Sequence, residues 1–250
     1  LHLPAVSIYY HCYLSLTQPA NDQHFRAFKN ELLQHDYLFP PGELQDLYIL
    51  AINFCTRRYN EGDLRFLQDQ FDLYKIGFDK KYFLSGGMLS RFTYLNAATI
   101  GMKVRAYEWV ENLITNYRPL LDPPFQESLY SFNMARLEYQ KGNHGEALLL
   151  LQRAEYKETM LALAAKTLQM KIYYESEEYD LLESHLQAIK AFIRRKKIMG
   201  YHRDNYLNLL QFVHKLMDLN PMDKKERQML RETIELAKPL AEKEWLLLQL

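Results

Sequence analysis

Three asparagines recur along the chain in a pattern that suggests chemistry. Aligned by their small residues and turns, the helical stretches put Asn53, Asn96 and Asn133 at one repeat position, and Asn208 joins them. Asn is a mediocre helix former, because its side chain competes for backbone hydrogen bonds, so its recurrence inside helices wants a reason. Its amide offers donors and an acceptor that suit an extended peptide backbone. The same register places Arg136, Tyr139 and Gln140 on that face, and Lys171 and Tyr174 on the equivalent face of the next repeat. Amides beside a guanidinium can hold a peptide backbone and a carboxylate together. A mixed amide, cation and aromatic surface therefore points to recognition of a protein or peptide. The plainer alternative is an Asn that bonds only to the neighbouring hairpin.

The other chemistry-bearing residues point away from catalysis. G-x-S-x-G, H-E-x-x-H and C-x-x-C are all missing, and Gly101-Met102-Lys103 lacks the upstream Gly and the following Ser or Thr of a phosphate loop. His11 and Cys12 are adjacent; neighbours on a helix diverge by about 100°, so the pair reads as packing rather than as a metal or nucleophile site. The acidic run Glu175-Ser176-Glu177-Glu178 reads as a helix start, where negative charge meets the positive end of the dipole. Arg194-Arg195-Lys196-Lys197, with Arg203 nearby, reads as a helix C-terminus; its functional alternative is a contact to phosphate or an acidic partner. The expectation is a chain with no catalytic residue, no metal and no cofactor, and so not an enzyme.

Composition narrows the class. The 250 residues, 48% hydrophobic and 25% charged, are enough for one large domain or a continuous repeat array. Equal numbers of basic and acidic residues, 31 each, give no global attraction to nucleic acid or to an anionic membrane. Two cysteines, Cys12 and Cys55, exclude a disulfide framework and read as buried thiols. No apolar run approaches the ~18 residues of a membrane span. The opening residues LHLPAVSIYYHCYL have neither the basic region nor the cleavage site of a signal peptide. The absent initiator Met, and an end inside an apolar helical pattern, suggest a fragment of a longer protein, with the cytoplasm as its expected location.

Apolar spacing shows what would position these side chains. Residues 128–154 read as two amphipathic helices folded back on each other, with Met134, Ala135, Leu137 and Tyr139 in the first. Ala147, Leu150, Leu151 and Ala154 form the stripe of the second, and Ala135, Ala147 and Ala154 are expected at close helix contacts. Gly142 suits the C′ position between them. Earlier helices are expected over 5–17, 22–35, 43–59, 64–76, 88–103 and 106–117, with Asn21 or Asp22 and Asp63 as N-caps. Pro40-Pro41-Gly42 is expected to end the hairpin before 43–59, and Trp109, Val110, Leu113 and Ile114 to point inward. Later helices are expected over 159–175, from Tyr179 onward with Tyr179, Leu182, Leu186 and Ile189 inward, over 203–218 and 223–237 as a last hairpin, and around Trp245. No stretch reads as a convincing strand. Leu67, Trp109, Ala147 and Leu182 occupy equivalent places in a drifting period.

Asn133, Met134, Ala135, Tyr139, Gly142, Asn143, Ala147, Leu151 and Ala154 fall where the tetratricopeptide repeat (TPR) prefers similar types, so the central stretch resembles that 34-residue helix–turn–helix unit. Glu138 and Ser131 stand where the family usually has an aromatic and a Trp. The whole chain is also similar to a bacterial class of helical-repeat proteins. The resemblance implies an all-α, right-handed α-solenoid of stacked antiparallel hairpins, one continuous domain over residues 1–250. It also implies that the Asn position faces a concave groove that holds a peptide backbone or terminal carboxylate. The expected function is a non-enzymatic scaffold whose partner is a protein or peptide. The alternatives are a nucleic-acid-linked regulator using the 194–203 cluster, or the helical accessory region of an enzyme.

Overall fold

The computed structural model of the protein describes residues 3–250; the first two residues of the stretch read as lacking a signal peptide lie outside them. Thirteen α-helices make up about three quarters of the described residues. They are α1 (Pro4–Thr17), α2 (Asp22–His35), α3 (Pro41–Asn60), α4 (Arg65–Asp79), α5 (Arg91–Lys103), α6 (Tyr107–Tyr117), α7 (Pro123–Gln140), α8 (His144–Arg153), α9 (Thr159–Glu175), α10 (Tyr179–Arg195), α11 (Gly200–Asp218), α12 (Lys224–Leu236) and α13 (Lys243–Leu248). The protein is therefore all-α. The fold clusters into two compact units, one running to Glu155 and one from Tyr156 to Leu250.

In the first unit, α1 packs on α2, α3 on α4, α5 on α6 and α7 on α8, so consecutive helices form antiparallel pairs. First helices also touch across hairpins, α1 with α3 and α5 with α7. The core is aromatic where hairpins meet: Phe25 of α2 stacks on Phe54 of α3 at 4.5 Å, and both meet Phe66 of α4 edge-on. Ala135 and Ala147 are fully buried, as expected of small residues at a close helix contact. At Gly101 of α5 the approach is closer still. A Cβ there would lie 2.5 Å from Val110 Cγ2 and 3.1 Å from the Trp109 ring of α6, so only Gly fits.

The hairpin turns share one backbone device. Gly62, Arg105, Gly142 and Glu177 follow α3, α5, α7 and α9, and each has positive φ, between 57° and 99°. The next amide in each case reaches five residues back: Asp63 to the Arg58 carbonyl, Ala106 to Gly101, Asn143 to Glu138 and Glu178 to Tyr173, at 2.8–3.1 Å. This is the Schellman C-cap, which satisfies carbonyls that the ending helix leaves open. Two of the four left-handed positions carry Arg or Glu, which have a Cβ and pay for the geometry in local strain.

The second unit packs α9 on α10 and α10 on α11, while α12 packs on α13. Leu182, Leu186 and Ile189 of α10 join Leu209, Val213 and Leu246 in one buried cluster. The strap between α12 and α13 is pinned to α11. Asn208 Nδ2 donates to the Pro239 carbonyl at 2.8 Å, and the Ala241 amide donates to the Asn205 carbonyl at 3.3 Å.

Several expectations are corrected. Helix α5 starts at Arg91 rather than at residue 88, because Met88–Leu89 (β2) pairs antiparallel with Leu84–Ser85 (β1). Gly86 and Gly87 both have positive φ, the requirement of a two-residue hairpin turn. Pro41 opens α3 at its first position, where a missing N–H costs nothing, instead of closing the preceding hairpin. Leu64 rather than Asp63 is the cap residue of α4, although Asp63 Oδ1 still accepts from the Arg65 amide. Ala154 is only partly buried and leaves the helix as the C-cap of α8. Trp109 is partly buried, and Tyr179 is exposed at the first position of α10. Of the acidic run, Glu175 ends α9 and only Glu178 caps α10.

Candidate functional site

The shared turn gives an internal ruler for the candidate residues. Asn53, Asn96 and Asn133 each stand nine residues before a left-handed turn residue, at 62, 105 and 142. Arg136 and Lys171 stand six before Gly142 and Glu177; Tyr139 and Tyr174 stand three before them. These are therefore equivalent backbone positions on the first helices of successive hairpins. Equivalence of position does not bring equivalence of environment.

Asn53 on α3 and Asn96 on α5 are exposed, and among the described residues neither amide makes a hydrogen bond. Asn133 on α7 is the correction: it is fully buried rather than open to a groove. Arg136, whose side chain runs back along α7, lies against it. Its guanidinium lies 5.5 Å from the Phe132 ring centre and donates to Asn133 Oδ1 at 3.3 Å. The same nitrogen donates to Thr99 Oγ1 of α5 at 3.0 Å, so Arg136 ties two first helices together. Tyr139 is half-buried with its ring stacked on His144 at 5.5 Å, and Gln140 is exposed at the end of α7. Asn208 belongs to the plainer alternative, since its amide holds the strap.

Similar polar links join the other first helices of this unit. Arg57 of α3 donates to the Ser15 carbonyl of α1 at 3.4 Å. Lys103 of α5 donates to the Tyr59 hydroxyl of α3 at 2.6 Å and lies over its ring. With Arg136 on Thr99, they make the first-helix side a polar seam rather than an apolar one. No group of three or more His, Cys, Asp or Glu side chains among the described residues is arranged to hold a metal ion. Burial pushes the Cys12 thiol up to about 11 and the Cys55 thiol well above its ordinary value, so neither is a thiolate nucleophile at neutral pH.

In the second unit the equivalent positions are occupied by the chain itself. Lys171 Nζ binds Glu242 Oε2 at 2.8 Å and lies 5.7 Å from the Trp245 ring centre. The Tyr174 ring meets Trp245 edge-on at 5.5 Å. Trp245 Nε1 donates to Glu175 Oε1 at 2.6 Å. Lys171, Tyr174 and Glu175 are spaced i, i+3 and i+4, so one face of α9 receives a carboxylate and an indole that are themselves three residues apart. Burial raises the Tyr174 pKa, so its hydroxyl stays protonated in this contact.

Comparison with known proteins adds no relative. No family model, no curated protein and no solved structure matches the chain. Function therefore rests on the site alone.

Glu175, Glu242 and Trp245 are the residues that the sequence reading left out of the site. Their signal is the spacing of Glu242 and Trp245, which matches that of Lys171 and Tyr174 some 70 residues earlier. No periodicity links such distant segments before the fold is known. The cluster Arg194-Arg195-Lys196-Lys197 ends α10 fully exposed, with Arg195 resting over the Phe192 ring. No described helix is long and apolar enough to cross a membrane.

Proposed function

We propose that the protein is a non-enzymatic, TPR-like scaffold that binds another protein or peptide along the first helices of its stacked hairpins. The carrying observation is that Asn53 and Asn96 stay exposed and unbonded at equivalent positions inside α3 and α5. Asn costs a helix interior about 0.5 kcal/mol relative to Ala, and neither side chain recovers this inside the fold. Arg57, Lys103 and Gln140 extend the polar seam beside them. Such a surface suits an extended backbone better than an apolar groove would. Within the first unit, paired helices joined by Schellman turns 43 and then 37 residues apart, at Gly62, Arg105 and Gly142, favour solenoid-type repeats.

Affinity capture with the intact protein tests the reading. The Asn53→Ala, Asn96→Ala double variant should lose at least about 2 kcal/mol of partner affinity if these amides are hot spots, with no loss of melting temperature. Capture unchanged by the double variant contradicts it.

A further inference from the structure

The contact between α9 and α13 identifies a ligand chemistry. We infer that the α9 face formed by Lys171, Tyr174 and Glu175 is a recognition site for a short segment carrying a carboxylate three residues before a Trp. In this structure α13 is its resident occupant. The inference rests on the proposed peptide-binding reading and deepens it for one face.

Three observations carry it. First, the face is specific for what it holds. Lys171 takes the Glu242 carboxylate and lies over the Trp245 ring, Tyr174 meets that ring edge-on, and Glu175 takes the indole N–H, so carboxylate, ring and N–H are all engaged. Second, the occupant arrives from outside the local packing order. Helix α11 follows the α9–α10 hairpin and packs on α10, whereas α13 reaches back to α9 across 70 residues of sequence. Third, the occupant has little structure of its own. It is six residues long, too short to be helical without docking, and Leu248 on its outer side is exposed. Its strap is held at two points by α11, through Asn205 and Asn208, while α13 itself is held by the buried Trp245 and Leu246 and by Arg227 and Arg231 of α12 on the Leu250 and Leu247 carbonyls, so its release breaks those contacts and leaves the strap in place. A partner segment with the same Glu-x-x-Trp spacing would compete with α13 for one face. The effective concentration of α13 then sets the threshold that the partner must exceed.

The test uses the full chain and a labelled peptide spanning Lys238–Leu250. The Trp245→Ala protein, whose face has lost the indole, should bind the peptide about tenfold or more tighter than the unaltered protein, whose face is filled. Adding Lys171→Ala to that protein should remove about tenfold of the gain, and a peptide carrying both Glu242→Ala and Trp245→Ala should bind neither protein. A Trp245→Ala protein of unchanged helicity that ignores the peptide, or takes the double-alanine peptide equally well, overturns the inference. If Trp245→Ala loses helicity, Glu242→Ala decides the matter, because it opens the ion pair and leaves the apolar contacts in place. It should bind the peptide tighter than the unaltered protein, and equal binding overturns the inference. Partner capture through Asn53 and Asn96 does not involve α13, so failure of either reading is visible without the other.

Discussion

Two regions present the C-terminal half of a first helix in opposite states. In the first unit, Asn53 and Asn96 lie open on α3 and α5, and cations from one first helix stitch it to the one before. In the second, the stretch of α9 one to two turns nearer the turn residue is covered by α13 through Lys171, Tyr174 and Glu175. The difference shows that a repeat position specifies a direction from the helix, not an environment. What fills the space depends on side chains several helices away. Asn133 makes the same point inside the first unit, since it is buried beside Arg136 at the position where Asn53 and Asn96 are open.

The comparison is broken most strongly by undocking α13. Leu246 is fully buried, and Leu246→Ala should weaken docking of that helix by about 2–5 kcal/mol. In a Trp109→Phe background, Trp245 emission should shift to the red while helicity is almost unchanged. An unmoved emission maximum would show that α13 is held by something other than this contact.

On α5 the packed face is the control for the open one. Gly101→Ala places a methyl 2.5 Å from Val110 Cγ2 and should cost about 1–3 kcal/mol in thermal or denaturant melts. Asn133→Ala removes a buried acceptor for Arg136 and should cost about 1 kcal/mol. Asn96→Ala, at the matching position, should instead gain about 0.5 kcal/mol from helix propensity. Equal signs for the two substitutions would erase the distinction between open and buried positions.

Smaller effects sharpen the account of the second unit. Glu177 holds a left-handed turn at φ 57°, so Glu177→Gly should raise stability by about 0.5–1 kcal/mol. His185 donates through Nε2 to the Lys166 carbonyl at 2.8 Å, and burial lowers its pKa below the ordinary 6.5. The unfolded chain then binds a proton that folded His185 resists. Stability from this residue is present above pH 6.5 and is lost as pH falls through that value towards the depressed folded one. Melting curves between pH 7.5 and 5 (test conditions of about that range) should be less pH-dependent for His185→Gln than for the unaltered protein.

Much of the scaffold is legible in sequence because it is local. Asn21 caps α2 through the Gln23 amide as its type predicts, and α2 and α9 have the expected ends. The apolar stripe over Leu182, Leu186 and Ile189 is buried as its spacing requires. Local signals are also where two errors arose. Gly86-Gly87 is a hairpin turn in its own right, but strands of two residues leave no alternation to read. Pro40-Pro41 can close one element or open the next, and the sequence does not distinguish them. The candidate site is less legible because it depends on long-range neighbours. The register of Asn53, Asn96 and Asn133 is visible from the turns, whereas the burial of Asn133 and the reach of Arg136 to Thr99 depend on packing between helices. Pairing of Lys171 with Glu242 needs the strap that returns α13 to α9.

Hydrogen exchange on the unaltered full chain measures most directly whether α13 is an occupant or a structural part of the second unit. Amides of α13, such as Leu246 bonded to the Glu242 carbonyl, should exchange through a local opening well before those of α9 and α10. Added Glu-x-x-Trp peptide should speed α13 exchange further while α9 stays protected. Exchange of α13 only together with α9 and α10, in one cooperative event indifferent to the peptide, would contradict the account.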